Sequence, residues 1–519
     1  MLRPLFLLLL LVFSLSVRAA YFPLQSQCDG LKQLPVGTMT GSCLGLLADN
    51  SMEINFRKPR KALELKGTAQ ILVTDMGGWS PYRGILWLLS FESTNYSKLL
   101  SAKPLLERLN LPHDIKLGND GFIYLGEAHQ IQRFKLSKSH ITEQQTIIND
   151  LPFTAEGYRH PLTNFVFLKN NDLLINVGSA SDNCDLSSKK SECKEASWVG
   201  LRRYHYNKAT NLWSPEFDQF ATGLRNSIAL TVHDSGTILQ AENSSDLKDA
   251  DEPYEEINIV KEGGFYGWPY CLNRRFNPEF REDGCSHPNY QEPWSLMPPH
   301  TAPLDMIYYN SDYFPALKGQ LLISWHGYRV VGNRLVSYKV DEQGLPLLTE
   351  KPTFNRDPIP PATQFTQHEF NPKGGSSSDA QHQEVISHWN HVKGLRPEGA
   401  PVGLLQLSDG SLLIVDDKNK ALLRLAKGEA YKSRSEKHEV RKISGFNYSG
   451  QSKELLLQQC SACHTELVSA PGVLLNPENG WLRKENGITV LERQLTFGVM
   501  PPTGKLKEEG ISIILKAVK

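Results

Sequence analysis

Cys460-Ser461-Ala462-Cys463-His464 concentrates more chemistry than any other short stretch of this 519-residue chain. Two thiols three positions apart can share one side of a helical turn, and the next residue offers an imidazole. That C-x-x-C-H order is the attachment signature of c-type haem: the thiols add across the two vinyl groups and the imidazole reaches the iron. Zinc binding and thiol–disulfide exchange are the competing uses. Zinc asks for a second ligand pair, and none follows; a redox pair asks for a βαβ setting, and none precedes. Downstream, Phe497-Gly498-Val499-Met500-Pro501-Pro502 holds a thioether in a Pro-rich loop. Thioether sulfur is a good sixth ligand to haem iron, and His/Met ligation raises the reduction potential. The expected centre is a haem c on Cys460 and Cys463, with His464 and Met500 on the iron.

The other six cysteines fall as close couples: Cys28 with Cys43, Cys184 with Cys193, Cys271 with Cys285. Three local disulfides fit, and free buried thiols are the alternative; the sequence fixes no connectivity. Disulfides persist in oxidising compartments. The N-terminus agrees. Arg3 precedes an apolar run from Leu5 to Val12, extended to Val17, and Val17-Arg18-Ala19 places small residues at −3 and −1 of a cleavage site. Residues 1–19 therefore read as a signal peptide, with a periplasmic or secreted product. The run is shorter than the roughly 18 apolar residues of a spanning helix, so no transmembrane anchor is expected. Lys plus Arg and Asp plus Glu both number 56. With no net positive charge, nothing points to nucleic acid as a partner.

Between residues 20 and 430 helical periodicity is scarce. A turn followed by short apolar strands recurs instead. Gly67 leads into Ala69–Val73, Asp120-Gly121 into Phe122–Leu125, and Asn171-Asp172 into Leu173–Val177. Ser235-Gly236 leads into Ile238-Leu239, Lys318-Gly319 into Leu321–Ile323, and Asp409-Gly410 into Leu412–Val415. Second strands follow most of them, such as Ile131–Leu136, Leu335–Val340 and Leu422–Leu425. About six repeated hairpins predict an all-β six-bladed propeller, because radial repetition buries both faces of each twisted sheet against its neighbours. A pair of β-sandwiches is the alternative. Residues 431–446 are charged and aperiodic and read as a linker. Residues 447–519, with helices expected over Ser452–Gln459 and Lys507–Val518, resemble a small all-α class I cytochrome c.

Ala221-Thr222-Gly223-Leu224-Arg225-Asn226 and Gly263-Gly264-Phe265-Tyr266-Gly267-Trp268-Pro269-Tyr270-Cys271 resemble segments of the soluble quinoprotein glucose and aldose dehydrogenases. Further residues resemble the sorbosone-dehydrogenase branch of that family: Arg159-His160-Pro161, Gly178-Ser179-Ala180-Ser181, Trp325-His326-Gly327, and Pro401-Val402-Gly403 with Asp409-Gly410-Ser411 and Asp416-Asp417. The ordered set spans nearly all of 50–427. The resemblance implies a six-bladed propeller that binds pyrroloquinoline quinone (PQQ) and calcium at one end of the ring. It implies His160 as the base, Arg225 on the quinone carbonyl, and Asn226 on a cofactor carboxylate. By residues alone, His160 would be an ordinary loop histidine. The oxygen-rich stretch 242–256 stands at the family's calcium loop, with Glu255 and Glu256 as ligands, although Ser244 and Ser245 replace a usual basic residue there. The family also places Arg before Pro-Val-Gly, where this chain has Ala400. Arg396 and Arg329 are the candidates to supply that charge. The combined expectation is a periplasmic quinohaemoprotein. It oxidises a sugar, or a related alcohol or aldehyde, and passes electrons to its own haem c and on to a respiratory acceptor. The alternative is a haem-bearing propeller that transfers electrons or binds partners without a catalytic quinone.

Overall fold

The computed structural model describes residues 21–431, except 22, 155–156, 185–192, 247–252, 278–279, 281–283, 328–331, 349–378, 388 and 390–398. Beyond 431 it describes four strand residues and Ser512. The strands from Gln27–Cys28 to Ala421–Lys427 form a six-bladed propeller. Blade 1 holds Pro59–Leu65, Gln70–Asp75, Gly84–Phe91 and Leu99–Leu109 in order from the axis outward. Blade 2 runs from Ile115–Leu117 to His140–Ile148, and blade 3 from Phe165–Phe167 to Leu212–Thr222. Blade 4 runs from Ala229–Val232 to Ser295–Met297, and blade 5 from Pro303–Tyr309 to His382–Ser387. Blade 6 closes the ring with strands from both ends of the chain. Pro401–Gln406, Leu412–Asp416 and Ala421–Lys427 are completed by Ser42–Asp49, which pairs antiparallel with Ala421–Lys427.

The second strand of each blade explains the apolar runs in the sequence. A strand sandwiched between two neighbouring blades has no wet face, so it loses the usual polar alternation. Its side chains still alternate in direction. Leu173 and Ile175 pack toward blade 2 with Tyr124 and Ile131, whereas Leu174 packs toward blade 4 with Leu230 and Ile238. Leu321 and Ile323 join blade 4, and Leu322 joins blade 6. Leu413 and Val415 join blade 1, and Leu412 and Ile414 join blade 5. Each such side chain contributes roughly 1.5–3 kcal/mol by leaving water.

The three expected cysteine couples are all disulfides, with Cα–Cα separations of 5.6, 5.8 and 5.1 Å for Cys28–Cys43, Cys184–Cys193 and Cys271–Cys285. No helix among the described residues is long and apolar enough to cross a membrane. Residues 434–519 belong to a second compact unit. Its described part is a hairpin, Lys484–Glu485 against Ile488–Thr489, and the helical Ser512. Residues 1–19, Cys460, Cys463, His464 and Met500 lie outside the described residues, as do Arg329 and Arg396.

Candidate active site

Antiparallel blades sort their connections. The link from each outermost strand to the next blade, and the link from second to third strand, meet at one end of the ring. His160, Arg225, Asn226 and Thr301 lie in links of the first kind, and Asp182, Asn243, His326 and Asp417 in links of the second. Residues scattered over the sequence therefore share one end because of topology alone. A long insertion in blade 4 also returns to this end. Gly264–Phe265 runs parallel beside the outer strand of blade 3, and the indole N–H of Trp268 then donates to Asp182 O at 3.2 Å.

His160 has a fixed tautomer. Its Nδ1 lies 2.9 Å from Ser179 O and 2.8 Å from Ser179 Oγ. The Ser179 hydroxyl proton is already spent on Ser181 O at 2.6 Å. Both oxygens near Nδ1 therefore accept, so Nδ1 carries the hydrogen and Nε2 keeps its lone pair. Burial, and then the Arg225 guanidinium, hold the imidazole well below its ordinary pKa, so it is neutral at pH 7. The approach is close: a Cβ on Gly178 would fall 2.5 Å from His160 O, so only glycine fits there. Behind Ser179, the Glu195 carboxylate accepts from Ala180 N at 2.9 Å, Ser181 N at 3.2 Å and Ser181 Oγ at 2.7 Å. Glu195 sits two residues after Cys193, so the Cys184–Cys193 bridge helps place it.

Arg225 is 2% exposed. Its Nε donates to Asp182 O at 2.9 Å, Nη1 to Asn243 O at 2.8 Å, and Nη2 to the Asp182 carboxylate. Its own carbonyl receives Ser179 N at 2.8 Å, which ties it directly to the His160 support. Guanidinium has five N–H donors, so donor capacity is left over for a ligand. Asn226 N donates to Glu242 Oε1 at 2.7 Å, while Asn226 Oδ1 is buried with no partner among the described residues. Thr301 Oγ1 and His113 Nε2 are buried and unpartnered there too. Orphaned buried atoms occur elsewhere among the described residues too, but these three lie at the His160 end, where a polar ligand could meet them.

A second charged group rings the same end. Asp417 pairs with Arg60 at 2.9 Å, Lys58 at 3.4 Å and His326 at 2.8 Å. Burial pushes the Asp417 carboxyl up, but these three partners win and hold it well below the usual carboxylate range. The Arg60 Nε donates to His113 Nδ1 at 3.2 Å. Ala400 is buried, and its N–H donates to Asp416 Oδ1 at 3.1 Å.

The structure places His160, Arg225 and Asn226 at one end of the ring, with Ser179 bonding both His160 Nδ1 and the Arg225 carbonyl. Glu255 and Glu256 are neighbours on one strand and face opposite ways. Glu255 accepts from Ser244 N at 2.6 Å and Ala302 N at 3.3 Å, and Glu256 from Asn273 N at 2.9 Å and Asn258 Nδ2 at 3.2 Å. They do not form a two-carboxylate site for one ion, and no group of three metal-ligating side chains gathers among the described residues. Burial pushes Glu255 and Glu242 up to about 8. Ser179, Asp182, Glu195, Lys58 and Arg60 carry no local sequence signal for these contacts. Nothing local in the sequence marks an acidic residue beside a cysteine as a backbone clamp.

Residues 123–347 match the family model for glucose/sorbosone dehydrogenase. The chain is an oxidoreductase acting on sugar CH–OH or aldehyde groups. Among solved structures it is similar to the holo form of the pyranose dehydrogenase PQQ domain from Coprinopsis cinerea, with 17% identity and a TM-score of 0.54, covering 77% of this chain and 99% of that one. It is also similar to a calcium structure of a family AA12 carbohydrate-active enzyme from Trichoderma reesei, with 17% identity and a TM-score of 0.53, covering 78% and 99%. At such identity these likenesses establish the fold. No curated protein matches the chain.

Proposed function

We propose that this oxidoreductase uses PQQ, with His160 Nε2 as the base that takes the substrate O–H proton. The observation that supports it is the Nδ1–H tautomer beside Arg225, which leaves a neutral acceptor nitrogen where a proton must go. When bound, PQQ supplies a quinone that accepts the two electrons as a hydride equivalent. Arg225 would hold its carbonyl oxygen and stabilise negative charge developing there. The orphaned Thr301 Oγ1 could donate to a ligand carboxylate, whereas the orphaned Asn226 Oδ1 only accepts and would take a ligand N–H or O–H. Lys58 and Arg60 place positive charge at the same end, which suits carboxylates despite Ala400. A proton on His160 Nε2 is disfavoured beside Arg225, so it passes on readily to solvent. Glu255 and Glu256 do not share a site, so they would not hold one calcium ion between them.

The Cys460-x-x-Cys463-His464 motif and Met500 support a covalent haem c in the same chain, taking electrons toward a respiratory acceptor. The N-terminal run and the three disulfides support export to the periplasm or beyond. The test uses the full chain purified without cofactor. Sugar should reduce an artificial dye only after PQQ is added, and a haem absorption band should stay with the denatured polypeptide but vanish in a Cys460→Ala, Cys463→Ala variant. Absence of sugar oxidation by a chain that has demonstrably taken up PQQ contradicts the catalytic reading. Loss of the haem band on denaturation contradicts the covalent one.

A further inference from the structure

The segment that carries His160 hangs on the 178–181 turn. The Tyr158 hydroxyl donates to Gly178 O at 2.7 Å, Arg159 N to Ala180 O at 3.1 Å, and His160 N to Ser179 O at 3.2 Å. The His160 ring adds its Nδ1 contacts with Ser179 O and Oγ, at 2.9 and 2.8 Å. Every partner here belongs to the turn, so the position of the turn sets the position of the imidazole.

Two groups hold the turn itself. Arg225 O takes Ser179 N at 2.8 Å. The Glu195 carboxylate takes three further donors, with Ala180 N and Ser181 N on Oε2 and Ser181 Oγ on Oε1. Ser179, Ser181 and Glu195 are all buried, so bulk water does not stand in for a lost acceptor. A carboxylate offers about four accepting positions and no donor, whereas an amide of the same shape has one accepting oxygen and two N–H groups. The Cys184–Cys193 disulfide joins the chain just past the turn to the chain just before Glu195, so clamp and turn are covalently tied.

The clamp reaches the chemistry through one hydrogen. The Ser179 hydroxyl has two acceptors in range, Ser181 O at 2.6 Å and His160 Nδ1 at 2.8 Å. They lead to opposite tautomers. Given to Ser181 O, the hydrogen leaves Nδ1 protonated and Nε2 free. Given to Nδ1, it makes that nitrogen the acceptor and puts the ring hydrogen on Nε2, which can then take no proton. Glu195 fixes Ser181 through both its N–H and its hydroxyl, and so keeps Ser181 O where it captures the hydrogen. Ser179 O, which also favours hydrogen on Nδ1, is carried by the same turn. We propose that Glu195 is a positioning residue of the reaction, setting the tautomer of His160 through Ser181 and Ser179. This rests on His160 as the base, but its first readout is independent of turnover.

The test is nitrogen-15 NMR of the histidine-labelled full chain, purified without cofactor, with the His160 signals assigned by their loss in His160→Gln. At neutral pH the wild-type ring hydrogen should sit on Nδ1. In Glu195→Gln it should move in good part to Nε2, and Glu195→Asp, which keeps a carboxylate, should restore part of the wild-type state. On the PQQ-loaded chain, Glu195→Gln should lower kcat at least about tenfold with quinone uptake unchanged, since an imidazole in the wrong tautomer can cost about 10⁴-fold. If Glu195→Gln does not fold, Ser181→Ala removes one donor from the clamp, leaves its backbone N–H groups paired, and should show the same shift at smaller amplitude. An Nδ1 hydrogen retained in the folded variant overturns the role, whether or not turnover falls. A tautomer that follows Glu195 while kcat does not keeps the role and removes His160 as the base. A wild-type hydrogen on Nε2 overturns both.

Discussion

At His160 a single hydrogen bond decides which ring nitrogen is left as an acceptor. The Ser179 hydroxyl cannot donate to the imidazole, because its proton goes to Ser181 O. That fixes which ring nitrogen is basic, and burial with Arg225 fixes that it is free at neutral pH. The consequence for pH follows with its sign. A base whose pKa is lowered stays unprotonated further into acid, so kcat/KM should hold level from pH 8 down through the ordinary histidine value near 6.5. It should fall only below that. Steady-state rates on the PQQ-loaded chain across pH 4–9 measure this directly. A rising limb centred above pH 7 would mean that a different group is the base, or that Arg225 does not face His160. His160, Arg225 and Asn226 are legible in the sequence because they stand in short family-like segments. Asp182 and Glu195 are not, because their role is to accept backbone and side-chain hydrogens from segments that only the folded chain brings near.

At the scale of the element, the apolar runs Leu173–Val177, Leu321–Ile323 and Leu412–Val415 are readable because both faces of a propeller's second strand are dry. The structure places the strand starts within a residue or two of the turn signals that announce them. The expected strand Leu335–Val340 ends sooner, at Tyr338, since Asp341 turns the chain by accepting Gln343 N and Leu345 N at 2.9 Å each. Two-sided burial makes a stability prediction. Leu174, fully buried between blades 3 and 4, should cost about 2–5 kcal/mol when cut to Ala. Leu100, on an outer strand and mostly exposed, should cost within about 0.5 kcal/mol. Urea unfolding of the two variants checks this, and equal losses would mean that the outer strands are covered rather than wet.

The whole molecule is closed by a pairing the sequence could not announce. Ser42–Asp49 completes blade 6 against Ala421–Lys427, nearly the length of the ring away in the chain, and no local pattern records such a partner. Tyr21 reinforces the closure by donating to Asp416, while Asn419 and Trp389 donate to its oxygen at 3.1 and 3.2 Å. Closure matters for function because it fixes blade 6 beside blade 1, and so sets Asp417 between Lys58, Arg60 and His326. One end of that closed ring then carries His160, the Arg225 guanidinium and the Asp417 ion-pair cluster, each from a different stretch of sequence. The most direct measurement of the central claim is anaerobic reduction of bound quinone by sugar in a stopped-flow spectrometer, comparing the PQQ-loaded full chain with its His160→Ala variant. The account predicts equal quinone uptake by both and reduction slowed about 10²–10⁴-fold in the variant, the usual contribution of a general base. Equal reduction rates, or loss of quinone binding together with His160, would contradict it.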